Sequence, residues 1–212
     1  MQLNVGMLLA APERDVGGPS SCIPDLLGMP ETEFVERLRA GDEVAYTAMY
    51  RTFQPRLVAI ATAYVDRSIA EDLTQDVLGY VWEHRAEWSV ERGVGVYLYA
   101  TVRNRALKYL RHDRVIARLE HAPNVADAPP GMSGASEGAE VRLEREDVRA
   151  AVDAALARVS DGARTAFLLR WMHELSYPEI AQVMATSEAT VRQQVAKARR
   201  AVVPVLERLA RQ

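Results

Sequence analysis

SYPEIAQVMATSEATVRQQVAKARR, residues Ser176 to Arg200, is the stretch that decides the fold. Ser176 stands three residues before Glu179, the spacing of a capping box, in which the serine oxygen takes an orphan backbone N–H and the glutamate reaches back. Pro178 is tolerated there because a first-turn N–H has no helical partner. A helix therefore starts at Ser176, runs through Ile180, Ala181 and Met184, and stops near Ala185 and Thr186. Ser187 is a second N-cap and opens another helix. In that second helix Val191, Val195, Ala198 and Val202 recur at steps of four, three and four, an inward stripe. Arg192, Gln193, Ala196, Lys197 and Arg200 are left facing outward. Helix, three-residue turn and helix with a basic outer face form the pattern of a helix-turn-helix, whose second helix enters the DNA major groove.

Upstream, Ala163, Phe167 and Trp171 make an apolar stripe that is expected to pack against this recognition helix. Four helical segments with no strand-like alternation fill the region from about 141 to 212. Before it, HAPNVADAPPGMSGASEGAE (121–140) holds three prolines and three glycines with few large apolar side chains, so 119–140 reads as a flexible linker. A second helical domain spans 31–118. Residues 1–30, dense in Pro and Gly, read as a flexible arm. The expected fold class is all-α: two small helical domains joined by a linker, the C-terminal one a helix-turn-helix.

Within the N-terminal domain, Gly41 and Asp42 read as the end of one helix and the N-cap of the next, and Pro55 is expected to kink or interrupt that second helix. From Asp66 to Glu87, Ile69, Leu73, Val77 and Val81 recur every four residues and are expected to face a core. Asp72, Gln75, Asp76 and Glu83 then face away, an acidic surface suited to a basic protein partner. A break at Ser89–Gly93 precedes a helix from about Val96 to Arg118. Leu98, Val102, Ala106 and Leu110 mark its buried side, and Asn104, Lys108 and Arg111 share another, with Arg103, Arg114 and Arg118 nearby. Trp88, Tyr97 and Tyr99 interleave with this basic patch, an arrangement that unstacked bases favour, although each individually is expected to pack in a core or interface.

The 212 residues carry a net charge of only -3, but its distribution is uneven. Residues 89–118 hold seven basic against two acidic residues and 186–212 six against two, whereas 31–88 holds six against eleven. Local basic islands, not the total, make phosphate-binding surfaces. The single cysteine, Cys22, excludes an internal disulfide framework. No apolar run approaches the roughly 18 residues of a membrane span, and the run Val5–Ala11 has no positive segment before it, so a cytoplasmic protein without membrane insertion is expected. His84, His112, His121 and His173 show no metal-ligand spacing, and no nucleophile, base and orienting group stand out. No catalytic residue, metal or cofactor is expected.

Three stretches together resemble the sigma-70 family, in particular its compact two-domain group, the extracytoplasmic-function sigma factors. They are Ala70-Glu-Asp-Leu-Thr-Gln-Asp-Val77 followed by Val81-Trp82; Tyr97-Leu-Tyr-Ala-Thr-Val-Arg-Asn104 through Leu110-Arg111; and Leu175-Ser-Tyr-Pro-Glu-Ile-Ala181 with Ser187-Glu-Ala-Thr-Val-Arg192 and Ala196-Lys-Ala-Arg199. The resemblance covers about 31–118 and 141–208. It implies that Asp72, Gln75 and Asp76 bind the clamp helices of the polymerase beta-prime subunit, with the beta flap as a further contact. It implies minus-ten promoter contacts from Asn104, Lys108 and Arg111 and from the Ser89–Gly93 loop with Glu91 and Arg92, which would hold an extruded base. It implies that Arg192, Gln193, Ala196, Lys197 and Arg200 read the minus-thirty-five element, and that an anti-sigma partner holds the protein inactive. Three positions depart from the family pattern: Tyr97 replaces a usual Trp, Lys108 a frequent Asp, and Ala185 the Gly that usually closes the turn.

Two other readings use the same features. A stand-alone regulator would use the helix-turn-helix alone and read a palindrome as a dimer. A decoy would occupy polymerase without opening promoters.

Overall fold

The computed structural model describes residues 28–91, 93–119, 148 and 150–209. The first 27 residues, Arg92 and 120–147, which include most of the expected arm and linker, lie outside the described residues, as do the side chains of Arg114 and Arg118. Helices α1 (Glu31–Arg39), α2 (Glu43–Ala61), α3 (Arg67–Glu83) and α4 (Val94–Leu119) form the N-terminal unit. A short helix α5 (150–156), then α6 (Asp161–Trp171), α7 (Tyr177–Met184) and α8 (Glu188–Leu209), form the C-terminal unit. No strand occurs among the described residues. The expected all-α class and the four C-terminal helical segments are observed.

Local chemistry sets the helix ends. Gly41, at φ 80°, takes the left-handed turn after α1 that a side chain would resist. Asp42 then accepts hydrogen bonds from the Val44 and Ala45 amides at 2.8 and 3.2 Å, capping α2 as its position predicts. Its other oxygen pairs with Arg37, and together these contacts hold the Asp42 carboxyl below the ordinary carboxylate range, the Ala45 amide contributing most. The N-terminus of α4 is capped from afar: Glu31 accepts the Val94 amide at 2.5 Å while Gly93 turns at φ 91°. That bond ties the start of α1 to the helix that carries the basic patch.

Two expectations need correction. Of the kink or interruption expected at Pro55, the interruption is absent: Pro55 lies inside α2 and the helix runs on to Ala61. Proline removes one backbone bond to the carbonyl four residues back, and the buried residues on both sides of it, Met49 and Phe53 before, Leu57 and Ile60 after, hold the helix to the core. On α3 the buried stripe is Ala70, Thr74, Val77, Leu78 and Val81, whereas Ile69 and Leu73 are half-buried. A strict four-residue step drifts by about 40° per turn of a 3.6-residue helix, so the start of such a row slips off the buried face. For the same reason Leu110 of α4 is only half-buried while Leu98, Val102 and Ala106 are fully covered.

Helices α2, α3 and α4 pack on one another around Phe34, Phe53, Leu57, Ile60, Leu78 and Leu98. In the C-terminal unit α6 and α8 form the broadest helix pair, with Ala163 and Phe167 fully buried and Trp171 half-buried, as the stripe predicts. Each fully buried large apolar side chain contributes about 1.5–3 kcal/mol. The two units also touch: α7 lies along α4, and α6 meets α2.

Candidate nucleic-acid and protein interfaces

The helix-turn-helix is built as its sequence dictates. The Ser176 amide donates to the Glu179 carboxylate at 2.7 Å, and Ser176 Oγ accepts from the Glu179 amide, closing the capping box. Ala185 sits in the left-handed region at φ 50° and ψ 51°. There the Thr186 amide bonds back to the Ala181 carbonyl and the Ala185 amide to the Gln182 carbonyl, satisfying the last carbonyls of α7. Ser187 Oγ accepts the Thr190 amide at 3.2 Å and caps α8.

On α8, Val191, Val195, Ala198 and Val202 are buried, so the outward set falls where the pattern put it. Gln193, Lys197 and Arg200 are exposed, and Ala196 and Arg192 are half-buried. Arg192 lies 4.2 Å over the Tyr177 ring and 4.0 Å from the Glu188 carboxylate, so its guanidinium is steered along the edge of the helix before any ligand arrives. Arg200 Nε donates to the Ala196 carbonyl at 3.3 Å.

A second site lies at the start of α4. A cleft of about 340 Å³ is lined by Ser89, Val90, Glu91, Val96, Tyr97, Ala100, Thr101 and Asn104, together with Gln182 from α7. Ser89, Glu91 and Asn104 are thus brought together. Lys108 and Arg111 are exposed farther along the same helix and do not line the cleft. Arg92 lies outside the described residues. Of the three interleaved aromatics only Tyr97 is available to a ligand. Trp88 is 5% exposed and Tyr99 is fully buried, edge-on to Phe53, so these two take the packing role expected of each individually and offer no base-stacking surface. The sequence carried no local sign of Gln182, which comes from the other unit.

The third site is the polar face of α3. Asp72, Gln75 and Asp76 are exposed together, and Asp76 stands 3.8 Å from Arg105 of α4. One turn beyond Asp76, Tyr80 is 43% exposed, with His84 stacked on it at 4.0 Å between centroids. Sequence reasoning passed over Tyr80; its signal is an aromatic ring at i+4 from Asp76 on the polar face. An exposed aromatic beside charge is the composition of an interface centre. Among the described residues there is no cluster of His, Cys, Asp or Glu suited to a metal ion. No helix among them is long and apolar enough to cross a membrane.

Comparison with known proteins agrees with the all-helical fold. Residues 49–115 match the family model for sigma-70 region 2, and 149–202 match that for sigma-70 region 4, together more than half of the chain. The chain is 25% identical over 191 residues to the RNA polymerase sigma-H factor of Pseudomonas aeruginosa, covering 86% of this chain and 96% of that one. It is 26% identical over 176 residues to the ECF RNA polymerase sigma-E factor of Escherichia coli K12, covering 79% and 90%. Among solved structures, the sigma factor RpoE of Bartonella quintana, in complex with the anti-sigma factor NepR, shares the fold with a TM-score of 0.60 at 18% identity over 76% of this chain and 96% of that one. CnrH in complex with the cytosolic domain of CnrY does so with a TM-score of 0.54 at 19% identity, over 84% and 97%.

Proposed function

We propose the following division of labour for a chain that belongs to the sigma-70 family, within its extracytoplasmic-function group, and acts as a promoter-recognising factor in transcription initiation. The domain covering 31–118 binds core polymerase and the minus-ten element, the domain covering 141–212 binds the minus-thirty-five element, and 119–140 links them. Asp72, Gln75 and Asp76 on α3 meet the clamp helices of the beta-prime subunit, with Tyr80 as an apolar contact beside them. The C-terminal unit rests on the beta flap.

The cleft bounded by Ser89, Glu91, Tyr97 and Asn104 receives an extruded minus-ten base, and Lys108, Arg111 and the Arg92 loop hold the neighbouring backbone. Promoter opening must unstack base pairs, and a site that holds one base offsets part of that cost. Arg192, Gln193, Ala196, Lys197 and Arg200 read the minus-thirty-five major groove, where a well-placed side chain discriminates between bases by about 1–3 kcal/mol. Initiation needs no chemistry from this chain. It works in the cytoplasm on promoter DNA, and an anti-sigma partner restrains it; the partner-bound state of the two fold relatives supports that reading.

The observation that carries the reading is the pairing of an exposed acidic face on α3 with a capped, outward-basic recognition helix α8 in one chain. A stand-alone regulator has no use for the first and a decoy none for the second. The test is run-off transcription with purified core polymerase and fragmented genomic DNA. Discrete starts sharing upstream elements are expected, and Asp76→Arg is expected to lose core binding while keeping its helical content. Core binding without starts would favour the decoy, and DNA binding by a dimer without polymerase the regulator.

A further inference from the structure

The two units meet through apolar side chains that join their cores and through a small set of polar ones. His173, just past the end of α6, is 4% exposed and stacks on Tyr99 of α4 at 5.0 Å between centroids and 23° between planes. Beside it, Thr165 Oγ1 of α6 donates to the Tyr64 hydroxyl at 2.8 Å, and Arg103 of α4 donates to the same oxygen at 3.2 Å. The same approach brings Gln182 of α7 into the wall of the cleft at the start of α4. Neither ring nitrogen of His173 has a hydrogen-bond partner among the described residues. A buried histidine so placed is held neutral, because burial disfavours the charge it would take up on protonation.

We propose that the free chain holds itself shut through a proton-sensitive latch, in which neutral His173 of the C-terminal unit stacks on Tyr99 of α4 and sets Gln182 across the cleft. The cleft's role as a base site rests on the function proposed above; the latch itself does not. Closed, the chain presents α4 with α7 lying along it; open, it frees the cleft.

The groups around the ring fix the direction of the response. Tyr99 faces it from α4 and the Arg56 guanidinium acts on it from α2, with Arg103 of α4 nearby on the Tyr64 hydroxyl. On its own segment, Arg170 is turned to the Leu175 carbonyl and the Tyr177 ring, and Glu174 is exposed. Burial first and Arg56 second lower the His173 pKa to about 3, the Met172 backbone opposing less. A lowered pKa in the closed state means that closure is fully favoured above the ordinary value of 6.5 and weakens as pH falls below it toward 3. Between about pH 7.5 and pH 5.5 the closed-to-open ratio should drop about tenfold, one proton entering per opening.

The test uses the full chain in a Cys22→Ser background with a donor and acceptor dye at Thr47→Cys and Ala157→Cys, both exposed and one on each unit. Energy transfer should be high at neutral pH and fall on acidification with the tenfold change given above. His173→Phe keeps a stacking ring that cannot charge and should stay closed and insensitive to pH; His173→Gln, also unable to charge in this range, serves if the first variant does not fold. Low transfer at neutral pH, a flat wild-type profile, or the same titration in the folded His173 variant would each overturn the latch. The measurement contains neither DNA nor polymerase, so its failure leaves the promoter reading standing, and failure of promoter use leaves the latch standing.

Discussion

Replacing Ala185 by glycine should stabilise this protein, against the usual trend for alanine-to-glycine changes. Ala185 lies at φ 50° and ψ 51°, in the left-handed region, at the turn between α7 and α8. Its methyl group is exposed, and its amide and that of Thr186 make backbone bonds that the substitution leaves in place. A non-glycine residue pays about 1–2 kcal/mol for that conformation. Glycine returns about 0.4–1 kcal/mol of this through its freer unfolded chain. The difference is a net gain of about 0.5–1 kcal/mol, and for a chain of this size a thermal midpoint higher by about 1–4 °C. Far-ultraviolet circular dichroism on heating reads it directly. The comparison is Ala154→Gly, an exposed position inside α5, where the same change should cost about 1 kcal/mol because the helix interior asks for no left-handed residue. If both glycine variants melt below the wild type, the strain assigned to Ala185 is absent and the turn is held by something other than its backbone geometry.

Two further outcomes follow from side chains already placed. Asp42→Asn should flatten the fall of thermal midpoint below about pH 4: the native carboxylate titrates below its ordinary value of 3.8, so its contribution is present above that value and disappears as pH falls through the lower folded one. An unchanged acid profile in the variant would remove Asp42 from the capping argument. Lys197→Ala should weaken promoter binding by the polymerase complex and reduce the slope of log affinity against log salt by about 1, as expected for one lost phosphate contact; an identical slope would place Lys197 away from the backbone.

The parts of the fold that could be read from sequence are those whose determinants are local. Ser176 and Glu179 are three residues apart and Ser187 and Thr190 likewise, so both helix starts of the helix-turn-helix are written within one turn each. The left-handed Ala185 was legible only through the resemblance, since it stands where the family pattern has the Gly that closes the turn. Registers were less so: the row Ile69, Leu73, Val77, Val81 is a good hydrophobic pattern, yet its first half slips from the core, which takes Ala70 and Thr74 instead. Helix periodicity identifies a face only to within the drift between four residues and one turn. The second left-handed residue, Glu174 at φ 58°, carried no signal at all.

What the sequence hid is the meeting of the two units, and the chemistry of that contact explains why. Tyr99 and His173 stand 74 positions apart, and Tyr64 and Thr165 stand 101 apart, so no periodicity or cap links them. The buried apolar side chains of the two units run together as one cluster, and the contact adds polar groups to it. Within each unit the fully buried large side chains are almost wholly apolar, Phe53 and Leu57 in one, Phe167 and Leu169 in the other. Across the contact lie two hydroxyls, an arginine and an imidazole with unpartnered nitrogens. Hydrogen-bonding groups of this sort return to water on separation and recover most of what they give up, so they hold two surfaces together at modest net strength. In the latch proposed above, these polar groups, and His173 first among them, give the contact its response to pH.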